Sequence, residues 1–99
     1  MSGGVKYDEG KLQWDLVPLR ELEEVIRVLM CGADKYPEPD NWKRVPEAEK
    51  RYYNAAMRHL TAWKRGEKSD PETGLNHLAH ATCCLLFLVW FDNKKENIK

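Results

Sequence analysis

The chain has 99 residues, enough for one domain with one modest core, and its four Trp and four Tyr can fill much of that core. Sixteen Lys and Arg balance sixteen Asp and Glu, so the formal net charge is zero and nucleic acid is not a favoured partner. The opening residues are too polar for a secretory signal, the longest apolar run (Cys83 to Phe91) is too short to span a bilayer, and three cysteines read as reduced thiols in the cytoplasm.

Residues 1–15 read as irregular, with glycines at 3, 4 and 10, and Lys6, Asp8 and Lys11 stand there in a Gly-flanked polar stretch. The first helix is expected to begin near Val17 or Pro18, because proline suits a first turn. Leu22, Val25, Ile26, Leu29 and Met30 recur at helical spacing, and Gly32 ends the helix or weakens its last turn. Glu21 and Glu24 are spaced i,i+3, as a metal pair could be, but ion pairs with Arg20 and Arg27 are the commoner meaning. "KYPEPDNW" is a loop, since Pro37 and Pro39 break both helix and strand. Within and beside it, Lys35 could meet phosphate, Asn41 could read a base edge and Trp42 could stack on a nucleobase; a surface loop pinned by an aromatic explains the same residues.

A second helix is expected after Pro46, with an apolar stripe of Tyr52, Ala55, Ala56, His59, Leu60 and Trp63. Lys50, Arg51, Arg58, Lys64 and Arg65 take its other side, and Gly66 stops it. In "EKSDPETG", Ser69 or Asp70 can cap a third helix, Pro71 fits its first position and Glu72 adds negative charge to its first turn. That helix should run to about Asp92, leaving 93–99 as a frayed tail. No segment alternates well enough for a strand, so the expectation is one all-α domain over 1–99 with three main helices. The third helix is apolar on most sides, which suits a central place in a homodimer or tetramer.

His77, His80 and Cys84 share one stripe of that third helix, at i, i+3 and i+7. Helices two and three should be antiparallel neighbours, so His59 can face them near the loop that supplies Glu67, Asp70 and Glu72. Such a cluster of imidazoles and carboxylates can hold a divalent metal, with Cys84 the weakest candidate ligand. Buried histidines with satisfied ring nitrogens are the alternative.

"KYDEGKLQWDLVP", "GADKY…NW", "RHLTAWKRGE" and "DPETGLNHLAHATC" stand in the same order as in a known group. With them the chain resembles the MazZ-type dATP/dGTP pyrophosphohydrolases, a mostly phage-encoded branch of the MazG-like all-α nucleotide pyrophosphohydrolases. The resemblance covers about Lys6 to Phe91. It implies a helical oligomer in a MazG-like bundle that uses Mg²⁺ or Mn²⁺ to cut a nucleoside triphosphate to monophosphate and pyrophosphate, in the host cytoplasm if phage-encoded. MazG-like enzymes hold metal with ExxE and ExxD pairs; here His77-x-x-His80 stands where ExxD would be, and Asn54, Arg58 and His59 where ExxE would be.

The resulting expectation is a metal-dependent hydrolase of purine deoxynucleoside triphosphates. Glu67, Asp70 and His77 would act on water; His59, Asp70, Glu72, His77 and His80 would hold metal; Lys11, Lys35, Asn41, Trp42 and Arg58 would bind substrate. The competing expectation is a non-catalytic helical module that binds a nucleotide or a partner, favoured by the scarcity of acids on the two central helices.

Overall fold

The computed structural model describes residues 3–98. Among them lie three α-helices, α1 (Leu19–Lys35), α2 (Ala48–Lys64) and α3 (His77–Ile98), with short 3₁₀ turns at Trp14–Leu16 and Asn41–Arg44. No strand occurs among the described residues beyond one isolated antiparallel bridge, Ser69 to Asn76. The expected all-α class and helix count therefore hold. α3 is the middle element: it packs against both α1 and α2, which do not touch each other.

Helix α1 runs through Gly32 to Lys35 and closes with the Tyr36 N–H on the Gly32 carbonyl. A mid-helix glycine costs about 1 kcal/mol against alanine. One further turn is compatible with that, helped by Lys35 near the negative helix end. Only part of the expected α1 stripe is covered: Val25 is buried and Leu22 half-buried, while Ile26, Leu29 and Met30 are exposed and Val28, outside that stripe, is buried.

Helix α2 matches its expected start and stripe. Tyr52, Ala55, His59, Leu60 and Trp63 are half-buried and Ala56 is buried. The antiparallel pairing with α3 is fixed at both ends: Tyr52 meets Phe87 and Phe91, and His59 meets His77.

Helix α3 starts six residues later than Pro71 would place it. Asp70 caps a turn instead, its Oδ2 accepting from the N–H groups of Glu72 and Thr73, each at 3.0 Å. Asp70 N–H donates to Leu75 O at 2.8 Å and Gly74 N–H to Asp70 O at 2.7 Å, with Gly74 left-handed at φ 74°. The helix begins where Asn76 Oδ1 accepts from Leu78 N–H at 2.7 Å, an N-cap that the acidic "DPE" stretch masks in the sequence. At its other end α3 continues through residues 93–98, where a frayed tail was expected, and Lys95 pairs with Glu49 of α2 at 2.7 Å.

Small side chains let α3 approach both neighbours. Val25 and Val28 of α1 cluster with Ala79 and Cys83 of α3, flanked by Leu22, Leu75 and Phe87. Burial pushes the Cys83 thiol up to about 12 and also raises Cys84, so both pack in the core as protonated thiols. No helix of the described residues is long and apolar enough to cross a membrane.

Candidate metal-binding site

The late start of α3 leaves residues 65–76 as a folded loop over the end of the α2–α3 pair. It brings Glu67, Asp70 and Thr73 to the three histidines. His77 is the buried centre, 4% exposed, and both its ring nitrogens are engaged. Nε2 lies 2.6 Å from Glu67 Oε1 and Nδ1 lies 2.8 Å from Nδ1 of His59. A carboxylate accepts, so the His77 Nε2 carries a proton, and between the two Nδ1 atoms one ring donates to the other. A metal-binding imidazole is held in this way, one nitrogen tied to a carboxylate and the other facing the ligand position.

His59, Asp70 and His77 each offer a donor atom, all within 4.8 Å of one another. Two imidazoles and one carboxylate fit Mn²⁺, Zn²⁺ or Ni²⁺; Mg²⁺ prefers an oxygen shell. The trio thus fits Mn²⁺ among the two ions expected, and fits Mg²⁺ poorly. His80 and Glu72, also expected as ligands, are not in the trio. His80 stacks on His59 (centroids 4.5 Å apart, planes 10° apart) and its Nε2 meets Thr73 Oγ1 at 2.7 Å. The Glu72 carboxylate is held by Lys35 at 3.0 Å.

The electrostatics favour neutral imidazoles and a charged carboxylate. Burial lowers the His59 pKa, with repulsion from His80 and His77 acting the same way. Burial also lowers His80, against the pull of Asp70. For Asp70, burial alone would raise the pKa. Hydrogen bonds from the Thr73 N–H and hydroxyl and the Glu72 N–H, with the nearby His80, outweigh it and leave the group lowered. These are the protonation states that bind a cation.

The expected substrate residues are dispersed. Lys35, through Glu72, sits beside the site loop. Arg58 is close enough to influence His59 and Cys84, and it borders a shallow concavity of about 540 Å³ with Asn54, Met57, Thr61, Ala62 and Arg65. Asn41 and Trp42 are elsewhere. Trp42 stacks on Phe87 (4.2 Å, 8°) with Trp90 and Phe91 at its edges. Phe87 is ten residues, about 15 Å of helix, from His77. Trp42 thus belongs to an aromatic cluster, with one ring face taken by Phe87. Lys11 is exposed in the N-terminal segment, in a turn its own N–H closes onto Asp8 O.

Two site residues were missed. Thr73 bridges Asp70 and His80 through its hydroxyl. Its position three residues after Asp70 is an Asx-turn signal that could have found it. Glu24, read as half of a metal pair or more commonly as a surface ion-pair partner, is half-buried and accepts from Asn76 N–H at 3.0 Å, tying α1 to the start of α3. Nothing local in the sequence marks that contact across 52 positions.

Comparison with known proteins places this chain in a family. No solved structure matches the chain. A dATP/dGTP diphosphohydrolase of Salmonella phage PMBT28 is 38% identical over 92 residues, covering 93% of this chain and 31% of the phage protein. The chain thus spans about a third of the length of that curated relative. The family described as dATP/dGTP diphosphohydrolase, N-terminal, matches residues 1–99. The chain belongs to the dATP/dGTP diphosphohydrolase N-terminal family.

Proposed function

We propose that the chain serves the metal-dependent hydrolysis of a purine deoxynucleoside triphosphate, dATP or dGTP, to the monophosphate and pyrophosphate. The observation that carries this reading is the His59, Asp70 and His77 trio, backed by Glu67, in a chain of this family. The named activity of the phage relative supports the same substrate class.

His59, Asp70 and His77 would hold the cation, with Mn²⁺ the better fit of the two ions considered. When bound, it would neutralise triphosphate charge and make water a better nucleophile. Glu67 keeps the proton on His77 Nε2 and so presents a lone pair at Nδ1. Thr73 holds the His80 ring against His59 and steadies Asp70. Arg58, close to His59, and Lys35, paired with Glu72, would meet the phosphates. The chain would act in the cytoplasm, of a host cell if phage-encoded, and as a homo-oligomer built around α3.

The test is pyrophosphate release from a panel of dNTPs and NTPs with Mg²⁺, Mn²⁺ and Co²⁺ in turn. Release that favours dGTP or dATP, is strongest with Mn²⁺ and stops with EDTA supports the reading. Silence across the panel, from protein shown to be helical, would overturn it for this chain and favour a nucleotide- or partner-binding module. That second reading has its own observation: the trio contains one carboxylate, where hard-metal triphosphate sites use several.

A further inference from the structure

The chain exposes far more surface than its mass requires. Its accessible area is 8328 Å². A compact monomer of 11.6 kDa exposes about 5,800 Å², so the excess is about 2,500 Å². The radius of gyration is 17.4 Å, against about 13 Å for a compact chain of this length.

Two sets of exposed apolar side chains contribute to the excess. One is the N-terminal arm. Val5, Tyr7, Leu12, Trp14 and Leu16 are each between 71% and 86% exposed. The Trp14–Leu16 turn packs on none of the three helices, and the arm's backbone bonds, such as Leu16 N–H to Gln13 O, are local. The other is the outward stripe of α3. Leu78, Leu85, Leu86 and Val89 are between 36% and 55% exposed. They stand at i, i+7, i+8 and i+11, one helix face.

We propose that the arm docks on the outward α3 stripe of a second copy of this chain, and that two copies exchange arms. Arm and acceptor face are carried by the same molecule, so a two-fold exchange covers both at once and closes. An excess of about 2,500 Å² per chain is ample for it, since permanent homodimers bury about 2,000–5,000 Å² in total. Zero net charge opposes no approach between copies, and the α3 stripe is uncharged, so the contact is apolar. The inference is independent of whether the chain hydrolyses a nucleotide.

The experiment is sedimentation equilibrium of the 99-residue chain from 1 to 100 μM, beside Trp14→Asp/Leu16→Asp and Leu85→Asp variants. The native chain is expected at twice 11.6 kDa or more. Both variants should dissociate at concentrations at least 100-fold higher, with unchanged helical circular dichroism. The arm makes no helix contact, so the arm variant decides the matter even if Leu85→Asp fails to fold. A native monomer at every concentration would overturn the proposal and leave the stripe to a segment outside this chain. An oligomer that the arm variant leaves intact would overturn it equally, in favour of α3 faces pairing without arms.

Discussion

His59 and His77, from two different helices, bring their Nδ1 atoms to 2.8 Å, so one ring donates a proton to the other. A cation held by these two nitrogens would displace the proton between them. Metal and proton therefore compete. Binding of Mn²⁺ or Zn²⁺ is expected to release roughly one proton per ion. Glu67→Gln, which weakens the partner of His77 Nε2, should lower metal affinity about 10- to 100-fold. Calorimetric titration in two buffers of different ionisation heat measures both; equal affinity in the two proteins would remove Glu67 from the site.

The buried imidazoles also set a pH dependence in the metal-free protein. His59 and His80 have folded pKa values lowered by burial, with Asp70 and Glu72 opposing and His77 and Arg58 reinforcing. The unfolded chain therefore binds protons first as pH falls. Their contribution to stability is full above the unfolded value, about 6.5, and is lost as pH drops through the lowered folded values. The urea midpoint in EDTA should fall between pH 7.5 and 5.5, and His80→Gln should flatten that slope. A midpoint flat over this window in the native chain would contradict the assignment.

Helix number, the α2 stripe and the meeting of His59 with His77 were legible because each rests on local periodicity and one short connection. The start of α3 was not. Ser69, Asp70 and Pro71 form a convincing cap signal, yet the Asp70 carboxylate is used in a turn, and Gly74 and Asn76 set the true boundary. That shift decides the site, because it turns Glu72 out to Lys35 and makes Thr73 the partner of His80. The packing of Trp42 was not legible for a different reason. An aromatic in a Pro-rich loop can be a ligand platform or a loop anchor, and its stack on Phe87, 45 positions away, has no local signal.

Trp42 yields a direct check. Removing its ring opens a hole against Phe87, Trp90 and Phe91, so Trp42→Ala should cost about 3 kcal/mol in urea unfolding. Trp42→Phe keeps the stack and should recover most of that. If Trp42 only packs, Trp42→Phe leaves nucleotide affinity within about twofold. Base stacking on the indole would instead predict a loss of roughly tenfold or more, from the 1–3 kcal/mol such contacts are worth.

The junction of α1 with α3 supplies the last test. Asn76 caps α3 through its side chain, and its own N–H is held by Glu24 of α1. Asn76→Ala should cost about 1 kcal/mol, the usual loss of a cap. Glu24→Ala leaves a half-buried N–H without its acceptor and should cost about 1–2 kcal/mol. Glu24→Gln keeps an oxygen there and should cost less. The two residues meet at one peptide, so their effects should couple: the double alanine variant should be less destabilised than the sum, by about 0.5 kcal/mol or more. Since His77 follows Asn76 directly, loosening this junction should also weaken metal binding without touching a donor atom. Additive unfolding energies with unchanged metal affinity would show that α1 plays no part in holding the site.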